Sequence, residues 1–114
     1  PLLVMDGTVQ AVNNTSDHNT TSHPRTAIGL TKDGRVLFVT VDGRFPGLAV
    51  GMSSELLAKY MKILGAYSAL NLDGGGSTTM WIKDKGVVNH TSQGGTGSWN
   101  SPKERSGGSI IYVK

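Results

Sequence analysis

The chain has 114 residues, 37% of them hydrophobic, with a formal net charge of +3, a pI near 9.4 and no cysteine. That supports one domain with a modest core and excludes structural disulfides, and no apolar run approaches the roughly 20 residues of a membrane-spanning helix. The basic residues are scattered rather than clustered, so no nucleic-acid partner is expected, whereas phosphates or polyanionic sugars suit such a surface.

Residues 2–5 (Leu-Leu-Val-Met) read as a short buried strand closed by the turn signal Asp6-Gly7. Residues 13–23 are Asn, Thr, Ser, Asp and His with almost nothing apolar, and read as a loop running into His23-Pro24-Arg25. Thr26 to Leu30 and Arg35 to Val41 are rich in β-branched residues and joined by Lys32-Asp33-Gly34, which predicts a hairpin. Phe45-Pro46-Gly47 forces a turn. Ser53 then offers an N-cap, and Glu55 lies in the first turn, where the helix dipole favours a carboxylate.

Leu56, Leu57, Tyr60, Ile63 and Leu64 follow at helical spacing, and Gly65 is placed to stop the helix. The spacing predicts a helix over 53–64 that packs Leu56, Tyr60, Ile63 and Leu64 on the sheet. Strands are expected again at 68–72, 78–82, 87–88 and 109–113, with a polar loop over 89–105. The fold class expected is α+β: a mostly antiparallel, strand-rich sheet packed on one main helix.

Asp73-Gly74-Gly75-Gly76-Ser77-Thr78-Thr79 carries the most chemical information. A hairpin needs one or two glycines, and three in succession forgo side-chain packing and cost backbone entropy. The motif reads as a generous turn, or as a place where something approaches the backbone closely, with a carboxylate on one side and three hydroxyls on the other. Asp42-Gly43 ends an earlier strand in the same way, so Asp42 and Asp73 can converge at one sheet edge as acid, base or nucleophile, or can simply serve as turn residues. Arg25, Arg44 and Arg105 each adjoin a turn, and arginine grips phosphate through paired donors. His23 is a candidate general base or an exposed loop residue. No His/Cys/Asp cluster has zinc spacing, and the surroundings of Asp17, Asp73 and Asp84 do not match a calcium loop, so no metal or cofactor is expected.

Taken in order, His23-Pro24-Arg25-Thr26-Ala27-Ile28-Gly29, Asp42-Gly43-Arg44, Gly51 with Glu55-Leu56, Leu64-Gly65-Ala66, Asn71-Leu72-Asp73-Gly74-Gly75-Gly76-Ser77-Thr78-Thr79-Met80, Asn89 and Glu104-Arg105 resemble the phosphodiester glycosidase family. The resemblance runs from about Pro1 to Lys114. It departs at Ser106-Gly107-Gly108, where the family has Pro-Val after Glu-Arg, and it lacks the family's upstream strands. The resemblance therefore implies that residues 1–114 are the C-terminal part of such a domain. An upstream polypeptide or a second copy is expected to complete the sheet.

The activity implied is hydrolysis of a sugar-1-phosphodiester on a glycan or exopolysaccharide, releasing free sugar and a phosphomonoester. Asp73 and Asp42 are the implied catalytic carboxylates. Arg25, Arg44, Gly74, Gly75, Gly76, Ser77, Thr78, Asn71, Asn89 and Arg105 are the implied substrate and phosphate contacts. Bacterial exopolysaccharide chemistry places such a protein outside the cell or in the envelope. A non-catalytic glycan- or phosphate-binding module and a purely structural fragment remain the alternative readings.

Overall fold

The computed structural model describes residues 1–11, 15–92, 99, 104 and 110–114. Strand β1 (Leu2–Met5) turns through Asp6 and Gly7, at φ 50° and 76°, into β2 (Thr8–Val9). The stretch read as a loop contains a single helical turn, α1 (Asp17–Thr20). Strands β3 (Arg25–Thr31) and β4 (Val36–Val41) form the expected hairpin. Its turn is tied by Thr31 Oγ1, which donates to Asp33 and accepts from the Arg35 amide, and by an exposed Arg35–Asp33 ion pair at 3.2 Å.

Helix α2 (Ser54–Ile63) begins at Ser53, whose hydroxyl accepts from the Leu56 amide. After Gly65, at φ 104°, comes β5 (Ala66–Asn71). A 3-10 turn over Gly75–Ser77 leads to the small hairpin β6 (Trp81–Ile82) and β7 (Gly86–Val87).

The main sheet has strand order β2-β1-β5-β3-β4, and every neighbouring pair is antiparallel. The chain is thus α+β with a strand-rich antiparallel sheet on one main helix. Three sequence expectations differ in detail. The fifth strand starts at Ala66, two residues early; of 78–82 only Trp81–Ile82 is strand; and Ile110 to Val113 are exposed and outside any strand.

The helix is where it was expected, but it turns a different face inward. Leu57, Ala58, Met61 and Ser54 are buried, whereas Leu56 is 42% and Ile63 76% exposed, with Tyr60 and Leu64 in between. Two apolar stripes of helical spacing coexist on this helix, and spacing alone does not rank them. The sheet does. Its inner face is built from Leu3, Val4, Ala27, Gly29, Ala66 and Ala69, so the helix lies close. A Cβ at Gly29 would come within 2.9 Å of the Met61 methyl. The smaller Ala58 side and the flexible Met61 fit that approach, and the Tyr60 side does not.

The other sheet face is apolar and open. Leu30 lies opposite Val36, Ile28 opposite Phe38 and Leu70, and Leu70 opposite Leu2. Leu2, Leu30, Val36, Phe38 and Leu70 are all exposed.

Candidate active site

Because β3 runs antiparallel between β4 and β5, its first residues lie beside the last residues of both neighbours. Arg25 pairs with Val41, and the Leu72 amide donates to the Thr26 carbonyl at 2.8 Å. Asp42-Gly43-Arg44 and Asp73-Gly74-Gly75-Gly76 therefore emerge at one end of the sheet, flanking His23-Pro24-Arg25. The convergence follows from strand register.

The glycines let these three segments touch. A Cβ at Gly43 would meet the Pro24 nitrogen at 2.8 Å, one at Gly74 the Pro24 carbonyl oxygen at 2.7 Å, and one at Gly51 the His23 carbonyl oxygen at 2.3 Å. Gly75 has φ 60°, and its amide donates to the Pro24 carbonyl at 2.9 Å. What approaches the glycine backbone closely is thus, first, the protein's own chain. The Ser77 and Thr78 amides close the 3-10 turn onto Gly74 and Gly75. The amides of Gly74 and Gly76 bond no partner among the described residues.

Arg44 is the exposed cation of this cluster. It sits at φ 61°, a left-handed conformation that costs a non-glycine residue about 1 kcal/mol or more. That backbone lays the guanidinium on Gly75: a Cβ there would lie 3.2 Å from Arg44 Nη2. The same Nη2 is 3.4 Å from His23 Nδ1.

Arg25, expected at a rim, is 1% exposed. Its Nε donates to the Met52 carbonyl at 2.9 Å, and its Nη2 to the carbonyls of His18 at 2.5 Å and Thr21 at 3.0 Å. It pins the α1 loop and the 51–53 segment to the start of β3. Burial, then the Arg44 charge, lowers its pKa.

The two aspartates differ. The half-buried Asp42 carboxylate accepts the His90 amide through both oxygens at 3.1 Å. Asp73 is exposed, and no described residue bonds its carboxylate. Asp42 therefore has a structural bond and Asp73 an open acceptor.

The remaining candidates divide likewise. Asn89 bridges the Thr78 carbonyl (2.9 Å) and the Met80 amide (2.7 Å), using its own amide group as a strand partner would. Thr78 is buried, with its hydroxyl accepting from Thr26 Oγ1 at 3.3 Å. Asn71 Oδ1 is buried without a hydrogen-bond partner among the described residues. Ser77 is half-buried. Arg105 lies outside the described residues.

Sequence reasoning missed two features. His90 stacks on Trp99 at 3.5 Å between ring centroids and 6° between planes, with Phe45 edge-on to the same indole at 5.4 Å. The only sequence signal for it is the presence of aromatic residues in polar stretches. Gly43 and Gly51 are also packing positions, and Gly51 stood in the family resemblance without a physical role. Among the described residues, no group of three or more His, Asp or Glu side chains could hold a metal.

Fold and cluster together define a strand-rich α+β domain whose sheet end gathers an exposed arginine, an exposed carboxylate and a glycine-lined turn. The chain belongs to the phosphodiester glycosidase family, whose profile matches residues 1–114. The catalytic domain of zebrafish N-acetylglucosamine-1-phosphodiester α-N-acetylglucosaminidase, auto-inhibited by its pro-peptide, is similar in structure: TM-score 0.68 and 26% identity over 90% of this chain and 37% of that one. A Burkholderia pseudomallei protein assigned as exported is 48% identical with TM-score 0.59, over 62% of this chain and 14% of its own. An uncharacterised SPβ prophage-derived protein of Bacillus subtilis, YomE, is 40% identical over 63% of this chain and 11% of its own length. This chain thus spans well under half the length of each of these relatives.

Proposed function

We propose that this chain carries part of the active site of a hydrolase that cleaves the anomeric C–O bond of a sugar-1-phosphodiester on a glycan or exopolysaccharide. The observation that carries the reading is the exposed Arg44 guanidinium laid over Gly75, in a turn that begins at the exposed Asp73. Family membership supplies the reaction class.

The chemistry matches what the residues offer. A phosphomonoester with a second pKa of about 6 is a good leaving group, so stabilising its charge matters more than protonating it. Arg44 is the exposed donor for that charge, while Gly74 and Gly76, whose amides bond no described residue, are buried behind it. Asp73 faces the positive character that develops at the anomeric carbon, or takes the proton of the attacking water. The water oxygen joins the anomeric carbon, the C–O bond breaks, and the phosphate departs with the bond's electrons. Asp42, with its carboxylate engaged by the His90 amide, holds the 42–44 corner from which Arg44 projects. Among the contacts, Arg25, Thr78 and Asn89 maintain the shape of the cradle.

Two further elements belong to the proposal. The exposed apolar sheet face is completed by another polypeptide, an upstream segment or a second copy. The protein works outside the cytoplasm or in the envelope, in keeping with the similar Burkholderia protein assigned as exported. A non-catalytic glycan- or phosphate-binding module is the competing reading. Assaying a chromogenic sugar-1-phosphodiester with the wild type and Asp73→Asn decides between them: turnover lost in the variant supports the hydrolase, and binding without turnover in the wild type supports the module.

A further inference from the structure

His23 stands at the centre of the cluster without an evident chemical task. Its backbone is fixed from both sides, donating to the Met52 carbonyl at 3.3 Å and accepting from the Met52 amide at 3.1 Å, with Gly51 packed on its carbonyl. Both ring nitrogens are engaged. Nδ1 faces Arg44 Nη2 at 3.4 Å, and Nε2 lies 2.6 Å from Thr21 Oγ1.

The donors fix the proton. A guanidinium only donates, so Nδ1 must accept. The single hydroxyl hydrogen of Thr21 goes to the Asp17 carbonyl at 2.5 Å, so Thr21 Oγ1 must accept from Nε2–H. One tautomer satisfies both ends, the neutral ring with its hydrogen on Nε2. Neither nitrogen is left to face a substrate, which removes His23 as a general base.

We propose that His23 is a positioning residue: its neutral imidazole accepts from Arg44 and sets the guanidinium over Gly75, where the departing phosphate is received. The role in turnover rests on the hydrolase reading above, and the contact itself does not. A proton on Nδ1 would turn the acceptor into a donor facing a cation and release Arg44 from its seat. The other charged or titratable groups around the ring act in the same direction. Arg25 approaches from β3, Arg44 from the 42–44 corner and His18 from α1, the last with its ring stacked 6.0 Å away; Gly51 and Met52 are neutral. Burial first, then these three groups, lowers the His23 pKa and favours the accepting form.

Two measurements on the intact protein test this. The first reads ring nitrogen shifts of His23 by NMR in 15N-labelled protein, wild type and Arg44→Met. A proton on Nε2 alone near neutral pH, with a titration midpoint that rises in Arg44→Met, is expected. A proton on Nδ1, a tautomer mixture, or a midpoint unmoved by Arg44→Met overturns the contact. The second follows kcat/KM against pH on a chromogenic sugar-1-phosphodiester for wild type, His23→Ala and His23→Asn. Asparagine places a carbonyl oxygen near the position of Nδ1. His23→Ala is expected to lose roughly tenfold or more, His23→Asn to recover much of that, and the acidic limb of the wild-type profile to vanish in His23→Asn. An asparagine variant no better than alanine, or one that keeps the acidic limb, overturns the positioning role. Absence of turnover in the wild type overturns the hydrolase reading and with it that role, while the nitrogen shifts still decide the contact.

Discussion

Arg44 Nη2 lies against the bare face of Gly75, 3.2 Å from where a Cβ would stand. The two residues come from the ends of different strands. Each also sits in the left-handed backbone region, at φ 61° and 60°. Glycine adopts that geometry freely, so the strain is confined to Arg44, as expected where a side chain is held for a ligand.

Gly75→Ala should therefore act twice. A left-handed alanine costs about 1 kcal/mol or more, and the new methyl makes the guanidinium give by a few tenths of an ångström. Thermal unfolding should show a modest loss of stability, and anion binding should weaken more than that loss explains. Binding equal to the wild type would mean that Arg44 does not act from this position.

Asp73→Asn and Asp42→Asn should separate. Asp73 is exposed and bonded by no described residue, so Asp73→Asn should change stability by no more than about 0.5 kcal/mol while abolishing turnover. Asp42→Asn weakens a charged acceptor for the His90 amide and should cost about 1 kcal/mol. Chemical denaturation alongside kinetics checks both.

Arg25→Lys should be the most damaging charge-preserving change. Lysine cannot reproduce a fork that serves three separate carbonyls, those of His18, Thr21 and Met52. Leaving such buried acceptors unpaired should cost roughly 3 kcal/mol. Denaturation should show that loss, with a larger effect than Arg44→Lys at the exposed site.

Acid should weaken the fold through His23. Its pKa is lowered from 6.5 in the folded protein, so as pH falls the unfolded chain takes up this proton first. The stability His23 contributes is complete above its unfolded value and drains away as pH falls through the window below 6.5 toward the folded pKa. The difference in stability between wild type and His23→Asn, measured from pH 7.5 to pH 4.5, should shift against the wild type across that window.

Much of the fold could be read in the residues. The Ser53 cap and Gly65 stop bound the helix, and the Lys32-Asp33-Gly34 turn with its β-branched flanks set the hairpin, because these are local effects. The inward face of α2 could not be read, since Leu57-Ala58-Met61 and Leu56-Tyr60-Ile63 share the same period. Which stripe fits depends on the small residues Ala27, Gly29 and Ala69, which are distant in sequence. The site divided in the same way. Asp-Gly turns at two strand ends marked corners that the strand register brings to one end of the sheet. That Arg25 is buried while Arg44 is exposed, and that the Gly75 amide is taken by Pro24, follow from strand register and close packing rather than from any local pattern.

The central claim is cleavage of the anomeric C–O bond at this site, and hydrolysis of a defined sugar-1-phosphodiester in 18O-labelled water tests it most directly. One label in the hemiacetal hydroxyl of the released sugar, none in the phosphomonoester, and no reaction in Asp73→Asn are expected. Label in the phosphate, or turnover undiminished in Asp73→Asn, would contradict it.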